Sequence, residues 1–117
     1  MFYLSLKRKS PMNKIVLGNV KGFDVVNIDD IIRLESSNNY TTFFLKNGTK
    51  TLISKTIGQY EKLLGNKGFF RIHQSHIVNL NYVRSYFKED GGKVLMEDNS
   101  ILSISRNKRP DFIRIFE

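Results

Sequence analysis

Phe69-Phe70-Arg71-Ile72-His73-Gln74-Ser75-His76-Ile77-Val78-Asn79-Leu80 is the stretch on which the reading of this chain turns. Strand-forming apolar residues alternate here with Arg71, His73, Gln74, Ser75, His76 and Asn79, and both histidines of the chain fall inside it. A purely structural strand has no use for so many polar groups, whereas a loop touching phosphate or a base edge does. Alternation points Phe70 and Ile72 one way and Arg71 and His73 the other. Gln74-Ser75 then forms a turn, and Ile77 and Val78 return to the core. Gln74 is the most exposed of the set, and its amide can donate and accept in one bidentate contact to an adenine edge. Arg71 suits a phosphate. The plainer alternative is that His73 and Ser75 satisfy backbone groups of a tight turn and Gln74 is solvated.

Outward from this stretch the chain reads as short strands. Ile15-Val16-Leu17, Phe23 to Ile28 and Ile31 to Ser36 precede it. Tyr40 to Lys46 turns at Asn47-Gly48 into Thr49 to Ser54, and Asn-Gly suits a type I′ hairpin turn. Ile57, Tyr60, Leu63 and Leu64 recur at helical spacing and predict one short helix near 56–64, with Gly65 placed to end it. Tyr82 to Lys88, Lys93 to Glu97 and Ser100 to Ser105 are further strands, and Pro110 to Phe116 is a short helical or extended cap. The fold class is mainly β, with about ten short strands.

At 117 residues the chain makes one domain, expected over residues 13–117, behind a linker or N-terminal arm at residues 1–12. That arm carries Phe2, Tyr3, Leu4, Leu6, the triplet Lys7-Arg8-Lys9, and Ser10-Pro11, which interrupts regular structure. The 40% hydrophobic content suffices for a core without disulfides, and the absence of cysteine excludes thiolate metal sites and cysteine nucleophiles. No run reaches the roughly 18 apolar residues of a membrane span. A soluble cytoplasmic protein that needs no cofactor is expected. The net charge of +8 favours polyanionic partners, nucleic acid first.

Two further clusters carry candidate chemistry. Ser105-Arg106-Asn107-Lys108-Arg109 sets three cations within four residues at a strand end. Arg106 there can fork onto guanine, and Asn107, Lys108 and Arg109 can face phosphates or simply be solvated. Ser36-Ser37-Asn38-Asn39-Tyr40-Thr41-Thr42 makes a polar tip with one aromatic, able to track a nucleic-acid backbone or to serve as an ordinary hairpin loop. Catalysis finds no site. There is no Gly-x-Ser-x-Gly elbow, no Gly-x-x-x-x-Gly-Lys loop, and no carboxylate set to help His73 and His76 hold a metal.

The segment Phe70 to Leu80, followed by Ile101-Leu102-Ser103-Ile104-Ser105-Arg106, closely resembles the signature of LytTR-type DNA-binding domains. Ile31 to Tyr40 and the Asn47-Gly48 hairpin look like that family's first half. The resemblance covers about residues 13–116. It implies an elongated arrangement of about ten β-strands that binds double-stranded DNA through loops entering successive major grooves, often as two copies on direct repeats. It places base reading at Gln74 and Arg106, with a third position at Asn39-Tyr40. Arg71, His73, Ser75 and Asn79 belong to the motif as phosphate contacts or loop support. Such domains usually follow a receiver domain in bacterial two-component response regulators. The twelve residues preceding this one suggest an excised output domain, with a stand-alone regulator as the alternative. Rival readings are a protein-interaction β module pairing through strand edges, and an RNA-binding surface using Tyr40, Tyr82 and Phe87.

Overall fold

The computed structural model describes residues 13–117, so the expected arm at residues 1–12 lies outside the described residues. Chain contacts divide the protein into two units, one ending at Asp30 and the other running from Ile31 to Glu117. In the first, β1 (Lys14–Asn19) and β2 (Gly22–Asn27) form an antiparallel hairpin with Val16 opposite Val25. Period-two alternation buries Ile15 and Leu17 and leaves Val16, Phe23 and Val25 exposed. A 3-10 turn at Ile28–Asp30 follows, its Ile28 amide donating to the Asn13 carbonyl at 2.8 Å.

The second unit holds two sheets. Strands β3 (Ile31–Ser37), β4 (Tyr40–Leu45), β5 (Lys50–Ile53), β6 (Phe69–His73) and β7 (His76–Asn79) form an antiparallel sheet in the order β5-β4-β3-β7-β6. Strands β8 (Val83–Phe87), β9 (Lys93–Met96) and β10 (Ile101–Ser103) form a second, in the order β10-β9-β8. The described residues thus carry ten strands in three sheets, the mainly-β class expected. Helix α1 (Ile57–Leu64) falls where the spacing of Ile57, Tyr60, Leu63 and Leu64 predicts it; Ile57, Tyr60 and Leu64 are buried, whereas Leu63 is exposed. The C-terminal segment, open between helix and extended chain, is helix α2 (Arg109–Ile115), with Pro110 in the first turn, where its missing N–H costs nothing.

One face of the five-stranded sheet takes α1, with the Tyr60 ring edge-on to Phe43 at 4.8 Å between centroids. The other side of the core gathers Ile32, Ile72, Val78, Val94, Met96, Leu102, Ile104 and Phe112 into one cluster, so both sheets and α2 share it. Two register shifts make this division work. Between Ile31 and Arg33, and again between Arg71 and His73, one extra residue enters the strand. A bulge re-aims the side chains that follow it. Ile32 and Ile72 are the extra residues, and each is buried in the shared cluster. Phe70 and Ile72 meet the same cluster, as alternation predicts, and the register shift falls at Ile72, two residues before Gln74.

Two local expectations change. The hairpin at Asn47-Gly48 is not a type I′ turn. Leu45 and Thr49 close a three-residue loop, Gly48 alone has positive φ (89°), and its amide donates to the Leu45 carbonyl at 2.9 Å. This is a type I turn with glycine in the left-handed position, the usual three-residue hairpin, and Asn47 contributes by accepting the Thr49 amide. The last strand ends at Ser103, two residues early; Ile104, buried in the core, still donates its amide to the Gly92 carbonyl at 3.2 Å, and Ser105 turns to the Ile72 carbonyl.

Asn79 closes the architecture from inside. At 2% exposure it donates to the Ile31 carbonyl at 2.9 Å and accepts from the Asn81 amide at 3.0 Å, tying the end of β7 to the start of β3. An apolar replacement strands a buried carbonyl and amide, which costs about 2 kcal/mol. Asn79→Ala is therefore expected to lower the urea unfolding midpoint by that free energy at unchanged m value, and an unaltered midpoint would refute this role.

Candidate nucleic-acid interface

The two-residue turn Gln74-Ser75 joins β6 to β7, and its main chain is held from three sides. The Ser75 amide donates to His73 Nδ1 at 3.0 Å. The Ser75 carbonyl accepts the Ser36 amide at 2.9 Å, continuing the β3–β7 pairing of Glu35 with His76. Arg71 holds the remaining carbonyls: Nη2 donates to Gln74 O at 2.6 Å and Nε reaches His73 O at 3.4 Å. None of these bonds uses the Gln74 side chain, which is exposed.

The same bonds bring the other polar segments to this turn. Ser36 lies at the end of β3, so its bond to Ser75 sets the hairpin tip Asn38-Asn39 beside Gln74. Asn39 is exposed, and Tyr40, opposite Ser37, is 46% exposed. On the other flank the Ser105 amide donates to the Ile72 carbonyl at 2.8 Å. Arg106 is the next residue, exposed, and opens the 3-10 turn Arg106–Lys108 that runs into α2. Arg106 therefore sits at a turn start rather than a strand end. The Ser105 carbonyl accepts the amides of Lys108 and Arg109 at 3.0 and 3.2 Å, which fixes that turn.

Three separated stretches, Ser36–Tyr40, Gln74–Ser75 and Ser105–Arg109, thus converge through two backbone hydrogen bonds. Asn107 is exposed, while Lys108 and Arg109 are half-buried. Lys108 Nζ stands 5.9 Å from the centre of the Phe70 ring, leaving its charge at the rim of the cluster. The Arg109 stem packs by Gly92 (φ 106°), where a Cβ would meet Arg109 Cδ and Tyr86 at 3.4 Å. The arrangement presents amide, phenol and guanidinium groups around a rigid two-residue turn. Base edges and phosphates are the chemistry such groups match.

Not every sequence-chosen residue faces outward. Asn79 is interior and braces strands, so it has no access to a phosphate. Arg71 spends its donors on the turn and on Glu61, 2.8 Å from Nη1, and acts as support. His73 accepts a backbone amide through Nδ1, which puts the proton of its neutral form on Nε2. Spacing gave no hint of a charged layer beneath the site. Arg33, 8% exposed, bonds Glu35 Oε1 at 2.9 Å and Asp98 Oδ2 at 3.1 Å, with its guanidinium 3.6 Å from the Phe44 ring centre. Burial raises the Asp98 carboxyl, but the Ser100 hydroxyl and amide, together with Arg33, outweigh it and hold the group below its ordinary range.

His76 lies in the same layer. Its Nδ1 is buried without a hydrogen-bond partner, 4.0 Å from Glu35 Oε1. Burial pushes its pKa down; Glu35 pulls the other way, and His73 and Arg33 add to the depression. Among the described residues no group of three or more His, Asp or Glu side chains is placed to hold a metal ion, and no helix is long and apolar enough to cross a membrane.

A family model for the LytTr DNA-binding domain matches residues 21–117. The chain is 29% identical over 76 residues to the heme-containing CO-sensing transcriptional regulator RcoM 2 of Paraburkholderia xenovorans (strain LB400). That match takes in 65% of this chain and 28% of the relative, so the chain spans little more than a quarter of that protein. Among solved structures it superposes on the LytTr DNA-binding domain of a Bacillus cereus protein described as a methyl-accepting/DNA response regulator. The TM-score is 0.76 at 19% identity, covering 90% of this chain and 97% of that one, which shows a shared fold.

The state of His76 gives this layer a pH signature. Its folded pKa lies below the ordinary 6.5, so just under pH 6.5 the unfolded chain binds more protons than the folded one. Stability is then complete above pH 6.5 and declines as pH falls toward the depressed folded value. Denaturant midpoints measured between pH 7.5 and 5 should fall with acidity in the parent and fall less in His76→Gln. Equal slopes in the two proteins would remove His76 as the cause.

Proposed function

This chain belongs to the LytTr DNA-binding domain family, and from that membership we propose that it binds double-stranded DNA sequence-specifically as a regulator's output domain. Gln74 and Arg106 read bases in a major groove, and Asn39 and Tyr40 reach the adjoining stretch. Asn107, Lys108 and Arg109 contact phosphates. Arg71, His73, Ser75 and Asn79 hold the loops in place. The observation that carries this reading is the convergence of the three polar segments through the Ser36–Ser75 and Ser105–Ile72 hydrogen bonds.

The division of labour follows from chemistry. Affinity derives mostly from cations releasing counterions at phosphates, which carries no sequence information. Discrimination derives from side chains whose donor and acceptor pattern fits one base pair, and the Gln and Arg forks are suited to adenine and guanine. A turn whose main chain is held by Arg71, His73 and Ser36 presents such forks with little ordering cost on binding. Two copies on direct repeats would multiply a modest single-site affinity. The whole protein is proposed to be a cytoplasmic two-component response regulator with an upstream receiver domain, and no catalysis is assigned to this domain.

The test begins with selection of bound duplexes from a random-sequence pool, followed by titration of the selected and a scrambled duplex. Arg106→Ala is expected to cost roughly 1–3 kcal/mol on the selected duplex, little on the scrambled one, and to relax preference at one position. Lys108→Ala should weaken both alike and reduce the salt slope by about one. If Arg106→Ala loses equally on both duplexes, Arg106 is not a base reader.

A further inference from the structure

We infer that Glu61, on the outer part of helix α1, is a positioning residue for the Gln74-Ser75 turn and acts through Arg71; this rests on the reading of Gln74 as a base contact. Glu61 lies on a helix ten residues before Arg71, outside the three polar segments. Its carboxylate accepts Arg71 Nη1 at 2.8 Å. The same guanidinium donates to Gln74 O at 2.6 Å and reaches toward His73 O at 3.4 Å. One planar group thus spans a helix and two consecutive carbonyls of the turn.

Three features make this a brace rather than a casual surface pair. First, Arg71 pairs with Ile77 across β6 and β7, just before the bulge at Ile72, and lies on the sheet face that α1 covers. Without that extra residue, every side chain beyond it would change face. Second, the arginine fork is planar and preorganised, so fixing one nitrogen on a carboxylate aims the others. Third, both main-chain groups of Ser75 already have fixed partners, its amide on His73 and its carbonyl on Ser36. Arg71 supplies the bond to Gln74 O, and Glu61 decides where Arg71 points.

The charge balance matters as well. Arg71 and Glu61 are 22% and 42% exposed at their side chains. An ion pair this open adds little to global stability, so its removal should leave the fold standing. What changes is local. Without the carboxylate, the guanidinium is free to turn toward a phosphate. The turn loses its hold while the surface gains an available cation. Loss of selectivity with undiminished non-specific binding is the signature expected, and a structural defect does not produce it.

The test uses the 117-residue chain and three variants, Glu61→Ala, Glu61→Gln and Arg71→Lys. In Glu61→Ala the backbone amides of Gln74 and Ser75 should show lower NMR order parameters and faster hydrogen exchange, with the thermal midpoint near the parent's. Discrimination between the selected and scrambled duplexes should fall roughly tenfold, the scale of one misaligned bidentate contact. Affinity for the scrambled duplex should hold or rise, with its salt slope steeper by up to about one. Glu61→Gln keeps an acceptor oxygen and should recover part of the discrimination. Arg71→Lys keeps the charge but not the fork and should loosen the turn as Glu61→Ala does. A turn as rigid in Glu61→Ala as in the parent overturns the inference, and so does a lowered midpoint with parallel losses on both duplexes. A loosened turn with parental discrimination overturns Gln74 as the base reader while leaving the brace in place.

Discussion

The structure depends on a constraint of the main chain: a two-residue turn at the end of a sheet leaves polar backbone groups that need partners. Here those partners are drawn from elsewhere in the chain. Ser36 supplies an amide from β3, His73 a ring nitrogen, and Arg71 a guanidinium. Meeting that demand is what gathers the polar segments at one place. The hairpin tip arrives because Ser36 must pair with Ser75, and the basic segment arrives because Ser105 continues the edge of β6 at Ile72. Backbone satisfaction and assembly of the interface are one event.

Beneath this surface lies a buried charge that would be unfavourable alone. Arg33 is tolerated because Glu35 and Asp98 supply carboxylates and Phe44 a ring face. Glu35 belongs to the five-stranded sheet, and Asp98 to the turn joining β9 to β10. The guanidinium therefore fixes one sheet against the other with a directionality that apolar packing in the shared cluster does not provide. His76, desolvated against the same carboxylate, is a further cost of that polar layer.

Much of the fold could be read from residue order. Period-two alternation marks the strands, and Ile57, Tyr60, Leu63 and Leu64 mark α1 because helical spacing buries one stripe, outside which only Leu63 falls. The turn at Gln74-Ser75 was legible because polar residues interrupt two apolar runs. What escaped has physical reasons. The conformation at Asn47-Gly48 depends on whether Asn47 adopts positive φ, and its side chain instead takes the Thr49 amide. The bulge at Ile72 is an insertion relative to a partner strand, visible only once that strand is known. Residues 33 and 98 meet through tertiary packing with no local signal. Sequence leaves Arg71 open between phosphate contact and loop support, because an arginine beside a polar turn looks solvent-directed. The acceptor that claims it, Glu61, sits on a helix ten residues earlier.

One consequence follows from how the turn is gripped. Every bond that fixes Gln74 lands on main-chain atoms or on neighbouring side chains, and its own amide group bears none of the mechanical burden. Position 74 is consequently open to substitution at small energetic penalty, while the geometry around it persists. A lineage carrying this frame could exchange one docking preference for another by single replacements there, without passing through misfolded intermediates.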